Sequence, residues 1–575
     1  MKRKWWVKIL CITTFLLFAT GGAACRSDKN GDGGDEPEVF LPISTVEELK
    51  AISGSESSYE LTADLDLSGE AWEPIVNFSG KLDGKNHKIS NLTVNKSNGT
   101  MGLFETLKGT VSNLTLDNVS VTAIGTTGDI GGLCGKADNA IIENVAVYGE
   151  VNAKLMDHIG GIAGYAAHTL INYCKNYANV EGYTKVGGVV GEYERQIASD
   201  DKYIEGNENH GNVTSLTKDE DSRTGGVMGE IWLYPGGYRT GATNWNFTVQ
   251  SFKNFGTVTS AGGRTGGIIG VHTTNRWAYG DTYVDLSLAA CTNEGAVTGT
   301  GYVGGIIGRD HYSKSVLSCE NKGVITGTEF VGGIVGSLST AQVAYNKNTG
   351  NVTAQCYVGG IVGYTPNVVN DCENAGIITV MGSTNDGGLG WDGVACAGGI
   401  AGATASYVTN SKNTGEIISK GTGNCIGGIA GVMRPSNGDI IENENDGYMN
   451  TMAGNCIGGI VGQLQARRPG VSHGQYTFTG KNTRTVNAPF SKHVGGLIGY
   501  ISCDSDWSYQ QRCYALIVNS SNTGIIVGSD RVGGIVGTVY KYIERDDIYW
   551  ATNSNSGRID CDEGCTKSET YNYEE

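Results

Sequence analysis

Aliphatic and polar residues alternate in short runs closed by glycine, as in Tyr302-Val303-Gly304-Gly305-Ile306-Ile307-Gly308, and this period-two pattern predicts strands. The residue before the glycine pair is β-branched in twelve of thirteen such runs, Ala397 being the exception. The runs are copies of one pentapeptide, Gly-Gly-[Ile/Val/Leu]-x-Gly, starting at Gly131, Gly160, Gly187, Gly225, Gly266, Gly304, Gly332, Gly359, Gly398, Gly427, Gly458, Gly495 and Gly533. Successive starts lie 27 to 31 or 37 to 41 residues apart, so a minimal coil is enlarged in places by one extra hairpin's length. A single coil buries too little to fold alone; stacking supplies a shared core and a ladder of parallel-strand hydrogen bonds. The predicted fold is all-β: a right-handed parallel β-helix, or solenoid, of about 13 coils behind an N-terminal capping region.

A second marker keeps step with the first, written Cys/Asn-x-Asn-x-Gly-x-Val/Ile, as in Cys319-Glu320-Asn321-Lys322-Gly323-Val324-Ile325. Its Asn recurs twelve times, at 176, 209, 254, 293, 321, 348, 374, 413, 445, 482, 522 and 555, and Val147 stands there in the first coil. From this Asn to the next glycine pair the gap is 11 residues in five coils and exceeds 16 only before Gly398. From the glycine pair to the next Asn it runs from 15 to 29, so the extra residues gather on one arm. Glycine at each corner is expected to supply positive φ and close approach of coils. The Asn suits a turn, where its amide serves local backbone groups and, when stacked, the coil above.

The chain divides accordingly. Residues 1–24 read as a signal peptide: Lys2, Arg3 and Lys4 precede an apolar run from Ile9 to Phe18, and small residues lead to Cys25. This segment resembles a lipoprotein signal with Ala23-Ala24-Cys25 as cleavage box, which implies lipid on Cys25. Residues 25–39 are acidic and Gly-rich, a flexible tether. Asp28, Asn30 and Asp32 start an EF-hand pattern that fails at Val39, where a Glu is needed, so no calcium loop is read there. Residues 40–130 form the cap and first coils, with a short helix capped at Thr45; 131–560 hold the repeats, and 561–575 a C-terminal tail.

The stretches FLPISTVEELKAI, YELTADLDLSGEAWEPIVNFSGKLDGKNHKISNLTV and MGLFETL, followed by thirteen Gly-Gly-Ile-x-Gly-like copies, resemble GLUG-motif repeat proteins over nearly all of the mature chain. The acidic stretch after Cys25 is similar to that of surface-exported lipoproteins of Bacteroidota. The resemblance implies a β-solenoid on a bacterial surface protein or adhesin, in some cases beside the catalytic domain of an immunoglobulin-cleaving metallopeptidase. No His-Glu-x-x-His occurs among the eight histidines, and no phosphate loop is present. Neither metal nor cofactor is expected.

With 89 Gly and only 8 Pro and no triplet period, glycine marks corners rather than disorder. A formal net charge of −17 argues against nucleic acid or an anionic membrane surface as partner, so membrane contact is expected through the lipid alone. Of 15 Cys, thirteen remain after Cys11 and Cys25, an odd number that cannot all pair. Cys174, Cys291, Cys319 and Cys372 share one marker slot and read as core filling. Cys396, Cys425 and Cys456 share the slot two before the glycines and read as stacked thiols. Cys503 with Cys513, and Cys561 with Cys565, are the disulfide candidates.

Binding candidates fall in two places. The slot two before Gly-Gly reads His158, Lys185, Arg223, Arg264, Tyr302, Phe330, Tyr357 along successive coils; alternation places it outside, as a basic patch and aromatic ladder suited to a glycan, or as ordinary stacking. The inserts carry Trp232, Tyr234, Tyr238, Trp245, Trp277 and Tyr279, which project from one edge as contact residues or support one another. The expected function is a non-catalytic cell-surface lipoprotein of the outer membrane, an adhesin binding an extracellular glycan or protein. A β-helix polysaccharide lyase or hydrolase, or a surface stalk without a specific ligand, are the alternatives.

Overall fold

The computed structural model describes residues 38–197, 202–236, 245–274, 284–382, 395–421, 424–435, 440–452, 454–466, 475–503, 514–539, 548–561, 565–570 and 572–573. The signal segment, Cys25 and all but the end of the tether lie outside these residues, as do Tyr238, Trp277, Tyr279 and Cys513.

The chain from Phe40 onward is one compact unit, a solenoid of parallel strands. In each repeat coil an approach strand such as Tyr302–Gly304 runs into the glycine pair, and a departure strand, Ile307–Asp310, leaves it. Any insert follows, and the chain returns through two short strands around the marker Asn, such as Glu320–Asn321 and Ile325–Thr326. Approach strands stack into a 14-stranded sheet, departure strands into a 15-stranded sheet, and marker strands with the N-terminal coils into a 35-stranded sheet. In seven coils a strand between the departure strand and the marker joins a 7-stranded sheet, as in Val284–Ala289, whereas Leu170–Asn172, Tyr514–Val518 and Ile548–Ala551 at the same place belong to the 35-stranded sheet. Register is kept motif on motif: Gly304, Gly332 and Gly359 pair in succession, as do Asn321 and Asn348. A helix, Val46–Ala51, sits at the N-terminal end with Thr45 and Glu48 forming its capping box and Leu49 buried beneath it. The C-terminal tail is not separate from the rod: Thr566–Ser568 extends the approach sheet and Asn572–Tyr573 the departure sheet.

The two markers keep step because they touch. A Cβ added to Gly333 would overlap the Asn348 side-chain amide and the Gly360 carbonyl; the second glycine of every other coil with a marker Asn meets that Asn in the same way, and Gly132 of the first coil meets Val147. None of the motif glycines has positive φ, contrary to the expectation; they are glycine because the chain doubles back against its own backbone and the next coil. Positive φ falls instead on the residue three before the marker Asn, in Tyr173, Ser251, Ala290, Ser318, Tyr345, Asp371, Asn410, Glu442, Asn519 and Thr552, with Gly206 in the same column. This one-residue kink turns the chain into the marker strand.

The marker Asn points inward rather than into a surface turn. Asn321 donates through Nδ2 to Asn348 Oδ1 at 2.7 Å, and Asn348 to Asn374 at 2.8 Å. The chain of amides continues without a break from Asn176 to Asn555. The second Nδ2 proton goes to the carbonyl two residues on, as from Asn348 to Gly350 at 2.8 Å, so each buried amide is satisfied. At the far end Asn555 donates to Glu569 Oε2 at 3.0 Å. Asn and glycine pair together divide the interior into two apolar compartments, one holding Ile306, Ile307 and Cys319, the other Val297, Val303 and Ile325.

Candidate functional site

The glycine pair bends the chain so sharply that the outer faces of the approach and departure strands confront each other across a crevice running along the rod. The residue two before the first glycine therefore faces the residue five after it. His158 meets Tyr165, ring centroids 5.6 Å apart, and Arg309 lies 4.5 Å over the Tyr302 ring.

In the first coils the crevice is a chain of alternating charges. Asp129 Oδ1 is 2.7 Å from His158 Nδ1, and His158 Nε2 is 2.9 Å from Glu192 Oε2. Lys185 pairs with Glu192 and lies 3.5 Å from Glu230, which also pairs with Arg223 and accepts from Thr273 Oγ1 at 2.9 Å. Burial opposes the charged form of His158, but the hydrogen bonds to Asp129 and Glu192 outweigh it and raise the pKa to about 9. Burial likewise opposes the Glu192 carboxylate, yet His158 and Lys185 hold its pKa below the usual value. The expected basic patch is thus corrected for His158, Lys185 and Arg223, which Glu192 and Glu230 on the facing wall neutralise through charge-assisted pairs, while Arg264 pairs with Asp221.

Further along, Tyr302, Phe330 and Tyr357 stack with centroids 5.0 Å apart and planes within 10°. Phe330 is 2% and Tyr357 0% exposed, so these two rings fill the crevice and offer no face to a ligand. Sequence alternation places them on the outside of their strand, and the crevice then covers them. Cys396, Cys425 and Cys456 continue the same wall as buried thiols. Burial raises the thiol pKa of Cys396, and a hydrogen bond to Cys425 together with burial raises that of Cys456. Cys174, Cys291, Cys319 and Cys372 are buried and free in the interior, and Cys561 is joined to Cys565.

Segments 198–201, 237–244, 275–283, 436–439, 467–474, 504–513 and 540–547, outside the described residues, each follow a departure strand in sequence, and the ends of the stacked departure strands mark one seam, the insert seam. Residues 383–394 fall in sequence between the marker strand Ile378–Val380 and the approach strand Cys396–Gly398, which accounts for the long gap before Gly398. Trp232 and Tyr234 stand on the outer face of the departure strand Met228–Pro235, half-buried, ring centroids 5.7 Å apart. Tyr234 Oη lies 3.2 Å from His168 Nε2. Trp232 is in register between Glu194 and Thr273, and it shares its face with Glu230, two residues before it. Trp245, on a return strand, packs against the core.

Sequence reasoning missed a second ladder. Tyr148, Tyr177, His210 and Phe255 each follow the marker position and stack on the outer face of the marker sheet, with centroids 4.3, 4.4 and 4.5 Å apart. Four aromatic rings at one offset from the marker are the signal that was present. Tyr148 and Phe255, the ends of the stack, are 39% and 38% exposed, while Tyr177 and His210 between them have a ring on each face.

Among the described residues no group of His, Cys, Asp and Glu is arranged to hold a metal ion, and no helix is long and apolar enough to cross a membrane. No protein-family model matches the chain. It is similar to halomucin of Haloquadratum walsbyi, 36% identical over 166 residues, which is 25% of this chain and 2% of that protein. It is also similar to a provisionally named Gly-rich membrane protein of Evansella cellulosilytica, 27% identical over 156 residues, covering 24% of this chain and 18% of the relative. The chain therefore spans a small part of either relative. A crystal structure of a protein provisionally named an immunoglobulin A1 protease, from Bacteroides ovatus, matches 45% of this chain and 77% of its own at 19% identity. Its TM-score is 0.33, too low to decide anything about fold or function.

Proposed function

We propose that this protein is a GLUG-type surface lipoprotein that binds an extracellular glycan without turning it over, using the outer face of the departure sheet beside the insert seam. Lipid on Cys25 would tether the rod to the outer membrane, and the membrane-protein name of one relative supports an exported location. The observation that carries the reading is the Trp232 and Tyr234 pair. Two half-buried rings stand on a rigid strand, with the imidazole of His168 and the carboxylate of Glu194 beside them. Rings that take the apolar face of a sugar, next to groups that take its hydroxyls, are the usual make-up of a carbohydrate subsite. The carboxylates of the crevice are engaged in ion pairs or hydrogen bonds, which favours binding over acid-base chemistry.

A glycan array followed by a turnover assay on each bound polymer tests this. Trp232→Ala should weaken binding by about 10-fold or more with the fold intact, and no reducing ends or unsaturated products should appear. Product release would overturn the non-catalytic reading. Removing 237–244 or 275–283 reports what Tyr238, Trp277 and Tyr279 add to the edge.

A further inference from the structure

The alternation of charges does not run the length of the crevice. Through Arg223 each cation faces a buried carboxylate, but in the next two coils the pattern ends. Arg264 stacks in register beneath Arg223, and Arg309 lies on the opposite wall against Tyr302, the residue in register with Arg264. The wall position facing Arg264 is Val271, which offers no charge. Among the described residues Arg264 pairs only with Asp221, whose side chain is 72% exposed and therefore strongly screened. Arg309 has no carboxylate within ion-pair distance among the described residues, and its one recorded partner is the Tyr302 ring.

Two further observations agree. The Nε–H groups of Arg223 and Arg264 are buried and have no hydrogen-bond partner among the described residues. Burial, with Arg309 and Arg223 repelling it, outweighs Asp221 and holds Arg264 below the ordinary arginine range. In a chain of net charge −17, the guanidinium groups of Arg264 and Arg309 on adjacent coils are a local excess of positive charge. The site is also close to the proposed platform, because Thr273, paired with Trp232, lies on the same short strand as Val271, which is in register with Arg309.

We infer that Arg264 and Arg309, with Tyr302 as the adjoining ring, form an anion subsite, so that the glycan read by Trp232 and Tyr234 is an acidic one carrying carboxylate or sulfate groups. This rests on the platform reading above and adds the charge of the ligand. A planar guanidinium takes either oxyanion through two parallel hydrogen bonds, and the Tyr302 face holds Arg309 in place.

The test measures affinity of the full chain for polygalacturonate, dextran sulfate and neutral dextran at low and high salt, for the wild type, Arg309→Gln, Arg264→Gln and Trp232→Ala. Circular dichroism verifies the fold of each. The inference expects tighter binding of an acidic polymer than of dextran, weakened by salt. Arg309→Gln should lose about 10-fold on the acidic polymer alone. Polygalacturonate or dextran sulfate responding alone identifies the group as carboxylate or sulfate, and both responding indicates a general oxyanion site. Equal affinity for dextran and both acidic polymers, unchanged in Arg309→Gln, overturns the anion subsite while the Trp232 platform stands. An equal loss on neutral and acidic polymers in Arg309→Gln also overturns it, because Arg309 then only props Tyr302. No binding of any polymer, or wild-type affinity in Trp232→Ala, removes the platform itself.

Discussion

Replacing Asn348 by Ala interrupts the amide ladder at its middle. Asn321 Nδ2 then loses its acceptor at 2.7 Å, and the Gly350 carbonyl loses the N–H that reaches it at 2.8 Å. Asn374 Oδ1 loses the donor at 2.8 Å but keeps the Gly376 N–H at 3.3 Å. Two buried polar groups are thus stripped of these bonds, and at about 1 to 3 kcal/mol each the cost is about 2 to 6 kcal/mol. The neighbouring exposed Lys347→Ala should cost less than about 0.5 kcal/mol. Because coils in a stack open locally, hydrogen exchange read peptide by peptide across 321–374 is the suitable assay, with urea melts alongside. Loss of protection in those coils only for Asn348→Ala is the expected result. If both variants exchange alike, the ladder carries no stability and the reasoning fails.

Other consequences can be measured in the same way. Ala290 holds φ 53° in the kink column, so Ala290→Gly should stabilise by about 1 kcal/mol, seen as a raised urea midpoint; a lowered midpoint would contradict it. Gly333→Ala has no room for its Cβ against Gly360 and Asn348 and should unfold its coils locally, with loss of amide protection there. His158 has a folded pKa raised from 6.5 to about 9, so its contribution is complete below pH 6.5 and is lost as pH rises through about 9. Thermal melts from pH 6 to 10, compared with His158→Gln, should show that loss in the wild type only. Cys396, Cys425 and Cys456 should resist iodoacetamide at pH 7.5 in the folded protein and react after denaturation; rapid native labelling would place them outside the crevice.

Much of this architecture can be read from residue spacing, because every coil repeats the same two markers and a single register satisfies both. Their direct contact is not legible: nothing in the spacing of Gly333 and Asn348 says that one amide rests on the other's α-carbon. The kink column escapes sequence reading for a related reason. Tyr, Ser, Asp, Glu and Asn all occupy it, since stacked neighbours rather than side-chain type impose the conformation. Period-two alternation gives the right side of the strand for Phe330 and Tyr357 but is silent on whether that side meets solvent or another wall. The same limit turned Arg223 and Lys185 into an apparent basic patch, since Glu192 and Glu230 lie seven residues after the respective cations, across the bend.

Distance between equivalent coils tests the continuous spiral most directly. Thr214 and Asn487 occupy the same position of the marker sheet, linked in register through Thr259, Thr298, Thr326, Thr353, Thr379, Ile418 and Asn450. Eight steps of about 4.8 Å predict a separation of about 38 Å. Spin labels on Thr214→Cys and Asn487→Cys, read by pulsed dipolar spectroscopy, should give one narrow distribution near that value. A broad distribution, or a distance unrelated to the number of intervening coils, would contradict the spiral.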